Sequence, residues 1–474
     1  MWGAHILASI CAPYIKFEEE IVINYDVIII GAGPGGYSAA LKAAKKGLNT
    51  LLIEKRKVGG VCLNEGCIPT KTLLYSAKIF DNAKHGEKYG VTVENITLDH
   101  GKIVKRKDKT VKILGSGIKS ALKNEGVTYL EAEARLVKDE HDQIGVWAEG
   151  EVFLAKNIII ASGSSAIIPP IEGAVKMYSA GFVLTNREIL DLTELPKSLL
   201  VVGGGVVGLE LASYFNSAGA EVTVVEMLPQ IGGNLDAELA EVLQKDLQKK
   251  GVSFILNARI VEIKDGVAVY EQAGEKQELS CDKILMSVGR SANVSGIGLA
   301  EAGIEFSGKG ITTNESCETN VKSIYAIGDV NGKLMLAHTA YREADVCINR
   351  ILGIEDTVDY TIIPAVIYTN PETAAVGETE ESAQEKGYEC EAIKVSMRHS
   401  GRYLAENEGG DGICKIIVDK NSKQILGVHM ITNYASEIIY GAGMMIQDKI
   451  KVEDIEKIVF PHPSVSEIIR EALI

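Results

Sequence analysis

The chain of 474 residues contains no apolar run approaching the roughly 20 residues that cross a bilayer. Cysteine is scarce for that length, with eight in all, which excludes a secreted, disulfide-stapled scaffold. Apart from Cys62 and Cys67 no two cysteines lie close together in sequence, so a zinc site built on that pair lacks its other two ligands. Positive charge is also short. Lys and Arg number 49 against 64 Asp and Glu, a net charge of -15, and nucleic acid or anionic membrane is repelled at long range. Residues 1–20 are apolar at first and then acidic (FEEE), without the basic segment of a signal or transit peptide, and read as an N-terminal extension. The expectation is a soluble, cytoplasmic chain that handles small ligands, too long for one core and divided into two to four domains.

What the chain does hold begins with VGGVCLNEGCIPTK, Val58 to Lys71. Four residues separate Cys62 from Cys67, a spacing that lets a short loop close as a small disulfide ring, although two unlinked core cysteines have the same spacing. Pro69 suits the first turn of a helix, and a thiol near a helix N-terminus or a cation such as Lys71 is more acidic than a free one.

Around this motif a module occurs twice. In IVINYDVIIIGAGPGGYSAALKAAKKG an apolar strand runs into Gly31, Gly33 and Gly36 and then a helix. The first glycine makes the tight turn, the second admits a pyrophosphate, and the third lets helix and strand pack closely. The next strand, TLLIEK, delivers Glu54, placed to accept hydrogen bonds from ribose hydroxyls. The stretch SLLVVGGGVVGLELASYFNSAGAEVTVVE repeats the pattern with Gly203, Gly205, Gly208 and Glu226. Glu54 follows Gly31 by 23 residues, and Glu226 follows Gly203 by the same 23. Two dinucleotides are implied. A carboxylate at Glu226 with no arginine after it in EMLPQ favours a 2'-hydroxyl over a 2'-phosphate, hence NAD over NADP.

Three strands running into small-residue turns follow: NIIIASGS, ILMSVGRSANV and TNVKSIYAIGDV. In the last, Asp329 is placed either to bind a sugar-like hydroxyl at a strand's C-terminal end or to make an Asx turn. Residues 101–126 read as an amphipathic helix whose lysines and arginine, Lys107 among them, form a solvated face, with Ile113, Leu114, Ile118 and Leu122 apolar. From about Asp359 the glycine signature gives way to short alternating strands and helices, an α+β pattern. The tail FPHPSVSEIIREALI sets His462 between two prolines. Ser464 and Glu467 form a capping-box pattern, and Glu467 is spaced to orient the imidazole.

Together these motifs resemble the pyridine nucleotide-disulfide oxidoreductases, most closely the branch that reoxidises protein-bound dihydrolipoamide, over nearly the whole chain from Ile21. The resemblance implies an α/β fold with two Rossmann-like doubly wound dinucleotide-binding domains and a C-terminal α+β dimerisation domain. Its divisions fall at 1–20 (extension), 21–158 (FAD), 159–290 (NAD), 291–358 (completing the FAD domain) and 359–474 (interface). It assigns FAD to the first glycine module, NAD to the second, and a redox disulfide of Cys62 and Cys67 to the flavin's face. Ser162, Gly163, Ser164 and Asp329, with Met335, Leu336, Ala337 and His338, match a flavin-holding turn and helix start, and Gly289 joins the cofactor-binding set. Lys71 and Glu210 match an ion pair beside the flavin, and His462 with Glu467 matches a catalytic pair. The histidine is contributed across a homodimer interface formed by residues 402–474. No lipoyl-bearing domain precedes Ile21, so the implied partner is a separate lipoyl protein, the acyltransferase of a 2-oxo acid dehydrogenase complex or the carrier of glycine cleavage. Val61, Glu65, Ser162 and Asn370 depart from the family pattern, and Glu65 between the cysteines is expected to raise thiolate pKa and lower the disulfide's potential. Glutathione reductase, mercuric reductase and a non-catalytic binding protein keeping the fold are the alternatives. Glu226, the absence of cysteines near the C-terminus, and the joint retention of Cys62, Cys67, His462 and Glu467 speak against them.

Overall fold

The computed structural model describes residues 25–474. The expected extension at 1–20, with His5 and Cys11, and the expected start of the first domain at Ile21 lie outside them. The described chain forms two compact units. One comprises the residues up to Ile68 with Lys109–Ser165 and Arg290–Asp359, and the other Pro69–Asp108, Ala166–Gly289 and Tyr360–Ile474.

The first unit is organised on a five-stranded sheet in the order Ile324–Ala326, Ala155–Ile160, Tyr25–Ile30, Thr50–Glu54, Thr128–Glu131, every neighbour parallel. Strands YDVIII and TLLIE are apolar almost throughout because a parallel sheet is covered on both faces. Ile28, Ile30, Leu51, Ile53, Ile158 and Ile160 make its core. The helices Pro34–Lys45 and Ala337–Ile351 are tied by Lys42 Nζ to Asp345 Oδ1 at 2.8 Å and by hydrogen-bonded Tyr37 and Tyr341 hydroxyls.

In the second unit the strands Val183–Leu184, Lys283–Met286, Ser198–Val202, Glu221–Val225 and Ser253–Ile255 form another parallel sheet with the same arrangement about its glycine-turn strand. Each parallel sheet is accompanied by a three-stranded antiparallel meander, Ala134–Phe153 in one unit and Ala258–Ser280 in the other. The duplication read from the 23-residue spacing therefore extends to topology. The C-terminal region adds a five-stranded antiparallel sheet in the order Ala365–Ile367, Glu372–Gly377, Ile425–Thr432, Ile413–Asp419, Cys390–Ser396, with the helix Ala435–Gln447 packed on it. This is the expected α/β architecture with its α+β addition.

One buried ion pair joins the second sheet's domain to the C-terminal sheet. Asp236 caps the helix Ala237–Lys249, accepting from the N–H groups of Glu238 and Leu239, and its other oxygen receives the Lys415 ammonium at 2.9 Å. Both residues are nearly inaccessible. Burial works to raise the Asp236 pKa, but Lys415 together with the Leu239 N–H offsets it and the net shift is downward.

Some local expectations change. The lysine-rich helix forms over His100–Asn124, yet Lys107 is buried and paired with Asp108 and Asp191 rather than solvated. Ile113 and Leu114 are exposed, the first because it falls on the helix face opposite Val104 and Leu122. Among the short strands and helices after Asp359, TIIPAVIYT contributes a strand of only three residues, Ala365–Ile367, and Val452–Lys457 forms a 3₁₀ turn rather than an α-helix. The lysine-rich helix opens on His100, which is buried, with Nδ1 on the Tyr214 hydroxyl and Nε2 on the Leu192 carbonyl.

Gly36 fixes how closely the first helix meets its sheet, since a Cβ there would stand 1.8 Å from the Gly31 carbonyl oxygen. Gly36→Ala is expected to cost about 2 kcal/mol or more and to lower the thermal unfolding midpoint by at least about 4 °C. Calorimetry of the two proteins checks it.

Candidate active site

Two glycine turns present the same chemistry. Gly31 and Gly203 have φ of +103° and +101°, and a Cβ would lie 2.3 Å from the Ala161 oxygen at the first and 2.6 Å from the Ser287 oxygen at the second. Only glycine fits such positions. The helices that follow open at Gly33 and Gly205 with no side-chain cap on either. Their first-turn N–H groups are thus left to an external anion, which fits a dinucleotide pyrophosphate. Glu54 Oε2 accepts the Ala32 N–H at 2.7 Å and Oε1 the Arg56 N–H at 2.8 Å. Glu226 repeats this with Gly204 at 2.6 Å and Leu228 at 2.8 Å. Each carboxylate oxygen keeps a second lone pair for a ribose hydroxyl.

The cysteine loop is built on the first turn. Gly59 N–H donates to the Ala32 carbonyl at 2.7 Å, and a Cβ on Gly60 would come within 2.7 Å of Gly33 Cα. Cys62 lies in the short helix Gly60–Glu65, braced by Asn64 Nδ2 on the Gly60 and Val58 carbonyls, and Cys67 is the first residue of the helix Cys67–Lys84. Both cysteines are half-buried. Glu65 does not stand as the isolated carboxylate the sequence suggests, because the Arg56 guanidinium is paired with it. Burial raises the Tyr37 pKa, with the Tyr341 hydroxyl and the charges of Cys62 and Cys67 adding to it, which puts this tyrosine pair in the cysteines' electrostatic neighbourhood.

Lys71, one turn beyond Cys67 on the same helix, holds both oxygens of Glu210, at 3.0 and 2.8 Å. Glu210 is buried and also accepts the Tyr368 N–H at 3.0 Å, while the ammonium sits 4.3 Å from the centre of the Tyr368 ring. The pairing expected from the sequence is present, and Tyr368 is a partner the sequence did not signal.

Asp329 and Ser164 are brought together at the C-terminal ends of neighbouring strands, the serine hydroxyl donating to the aspartate. Arg290 binds the same Ser164, Nε to Oγ at 2.7 Å and Nη2 to the carbonyl at 2.8 Å, with Asp329 Oδ2 3.8 Å from Nε. Beneath them the fully buried Glu343 accepts the Gly328 N–H and, at 2.7 Å, Asn331 Nδ2, fixing the 3₁₀ turn Gly328–Asn331 that carries Asp329. Ser162 Oγ instead bonds the Asn293 carbonyl at 3.0 Å, and Gly163 has open space about a Cβ position at φ +72°. The segment Met335–His338 runs into the helix Ala337–Ile351, whose N-cap Leu336 offers no side-chain cap. Gly289, at φ +118°, ends the turn after the strand Lys283–Met286. Arg290 and Glu343 were not found from sequence. Arg290 stands directly after a singled-out glycine, but nothing marks Glu343 except a carboxylate at a core position of a helix.

His462 Nδ1 lies 2.8 Å from Glu467 Oε1. A carboxylate only accepts, so Nδ1 carries a proton and Nε2 is the nitrogen left to exchange one. The imidazole is 82% exposed. The Ser464 N–H and then His462 hold the Glu467 pKa below its usual value. Only half of the expected capping box forms, because the Ser464 hydroxyl pairs with Ser466 and the helix begins later, at Ile468.

Two dinucleotide turns, a cysteine loop packed on the first of them and a carboxylate-oriented histidine define a nucleotide-dependent redox enzyme of two-cysteine type. Residues 25–344 match the pyridine nucleotide-disulphide oxidoreductase family and residues 363–473 that family's dimerisation domain. The chain is 39% identical to the mitochondrial dihydrolipoyl dehydrogenase of Pisum sativum, with 94% of this chain and 90% of that one covered. It is 36% identical to the dihydrolipoyl dehydrogenase of Geobacillus stearothermophilus, with 96% of each covered. The crystal structure of LpdA from Mycobacterium tuberculosis superposes with a TM-score of 0.83 at 26% identity, covering 94% of this chain and 98% of that one. The chain therefore belongs to the pyridine nucleotide-disulphide oxidoreductases, whose cofactors are FAD and NAD. Among the described residues no helix is long and apolar enough to cross a membrane.

Glu210→Ala would leave the Lys71 ammonium and the Tyr368 N–H without their acceptor. The loss is expected to be about 2–4 kcal/mol of stability, with Glu210→Gln costing less than half as much because it retains an acceptor. Thermal unfolding of both variants measures the difference.

Proposed function

We propose that this chain is a dihydrolipoyl dehydrogenase, oxidising a protein-bound dihydrolipoyl group and delivering the electron pair to NAD+. The observation that carries this reading is the Cys62 and Cys67 loop seated on one dinucleotide turn, in a chain that holds a second such turn with a carboxylate at Glu226. Sequence similarity to dihydrolipoyl dehydrogenases over nearly the full length supports it. In this reading residues 21–158 and 291–358 form the FAD domain, 159–290 the NAD domain and 359–474 the subunit interface of a homodimer. The match of 363–473 to a dimerisation domain supports that last assignment. The setting is the cytoplasm, and the partner is a lipoyl-bearing protein, the acyltransferase of a 2-oxo acid dehydrogenase complex or the carrier of glycine cleavage.

For the first cofactor the residues are Gly31, Gly33, Gly36, Glu54, Lys71, Ser162, Gly163, Ser164, Asp329 and the stretch Met335, Leu336, Ala337 and His338. For NAD they are Gly203, Gly205, Gly208, Glu226 and Gly289. When bound, FAD supplies the two-electron acceptor for the cysteine pair and NAD+ the final hydride acceptor. His462, its Nδ1–H held by Glu467, uses Nε2 to take the proton from one substrate thiol at the disulfide of the second copy. The thiolate attacks Cys62 Sγ, the bond to Cys67 breaks, and a mixed disulfide forms while Cys67 leaves as a thiolate. The second substrate thiol loses its proton and attacks the substrate sulfur of that adduct. The cyclic disulfide departs and Cys62 is left reduced, so the substrate has lost two electrons and two protons. Lys71, held in place by Glu210, contributes positive potential where electron density arrives.

Anaerobic titration with dithionite is expected to consume about four reducing equivalents per chain, two for the disulfide and two for the flavin. An end point at two would remove the cysteine pair from the reaction. His462→Gln is expected to slow dithiol turnover by about 10²–10⁴ while NADH-to-dye activity stays largely intact. Equal loss of both activities would count against His462 as the base.

A further inference from the structure

We infer that Arg56 and Glu65 act together as a positioning pair that sets the acidity of Cys62. The inference rests on the reading of Cys62 and Cys67 as the redox pair. Glu65 and Cys62 are three residues apart on one helix, a spacing that makes them neighbours on its surface, about 5–6 Å between Cβ atoms. A carboxylate so placed opposes a thiolate. Its side chain is only 12% exposed, so solvent screens it poorly, and the guanidinium of Arg56 is bonded to it. Arg56 is itself fixed, because its N–H is held by Glu54, the carboxylate whose other oxygen pins the glycine turn through Ala32. Ala32, Glu54, Arg56 and Glu65 thus form a continuous chain of bonds from the nucleotide turn to the centre of the cysteine loop. The pair as a whole is neutral, and each half alone would push the thiol in the opposite direction.

That opposition separates an electrostatic role from a merely structural one. Enzyme with its flavin bound is reduced anaerobically with one equivalent of dithionite, which supplies two electrons. With two protons from solvent these open the disulfide to two thiols. Iodoacetamide is then added across a pH series. The Cys62 thiolate displaces iodide to form a thioether, and peptide mass mapping assigns the label. Glu65→Gln leaves Arg56 unopposed, so the midpoint of the pH profile moves down by about half a unit, a threefold gain in thiolate fraction below the midpoint. Arg56→Gln leaves Glu65 unopposed, and the midpoint moves up by a similar amount. The double variant returns to within about 0.2 unit of the parent, as does Arg56→Lys, which keeps the charge. The midpoint is the better readout than a rate at one pH, because nucleophilicity falls as the thiol becomes more acidic.

Shifts of one sign in both single variants, no shift in either, or a double variant that sums two losses would overturn the inference and leave the pair a structural brace. Glu65→Gln is near-isosteric, and flavin content and circular dichroism of every variant report its folding. If dithionite exposes no new iodoacetamide-reactive sulfur in the parent enzyme, the redox reading of the cysteines fails first. If the sulfurs appear and the midpoints do not separate, only the inference about the pair fails.

Discussion

A carboxylate gripping the backbone of a glycine turn is the constraint on which the remaining geometry rests. Glu54 and Glu226 each bond one N–H inside the turn and one two residues beyond themselves. A glycine-rich turn that opens on a left-handed residue, Gly31 or Gly203, has little of its own to hold it, since glycine surrenders more conformational freedom on ordering than any other residue. The glutamate bond supplies that definition and keeps the helix N-terminus aimed along the sheet's C-terminal edge. The cysteine loop then inherits its position from the first turn through Gly59 and Gly60, the latter so close to Gly33 that neither a Cβ nor a larger group fits between them.

Charge in this molecule is used in closed pairs. Lys71 and Glu210 satisfy each other and the Tyr368 amide. Ser164 mediates between Arg290 and Asp329, and Glu343 has both oxygens engaged by the turn that carries Asp329. Buried polar groups cost little when every member is bonded, and such networks hold side chains still where a cofactor must meet a fixed surface. By contrast His462 is held on one side only, by Glu467, and its other nitrogen faces outward. A base needs that arrangement when its thiol arrives from outside.

The parts of this architecture set by short-range rules were legible in the sequence. The glycine spacing and the acid 23 residues on were enough to expect a strand, turn, helix and strand twice over, because these follow from local sterics, and the family resemblance extended each module to a parallel sheet. The pairings of Lys71 with Glu210 and of His462 with Glu467 were also named beforehand, the first through family resemblance and the second through spacing. What was missed lies at long range. Arg56 and Arg290 look like ordinary surface cations until folding brings them to Glu65 and Ser164, and Lys107 sits in a run of lysines whose pattern says solvent although Asp191, 84 residues away, draws it inside. Glu343 illustrates the same limit. A charge at a core position of a helix reads as a defect until the two donors of the turn are placed over it.

The salt bridge of Asp236 with Lys415 couples two regions that sequence alone would treat as separate modules. Removing Asp236 would strip a helix of its cap and leave the buried Lys415 ammonium to the more distant carboxylates of Glu238 and Glu380, at 3.2 and 3.4 Å. Loosening the seam between the second nucleotide fold and the carboxyl-terminal sheet therefore disturbs both sides at once, the capped helix on one and the strand Ile413–Asp419 on the other.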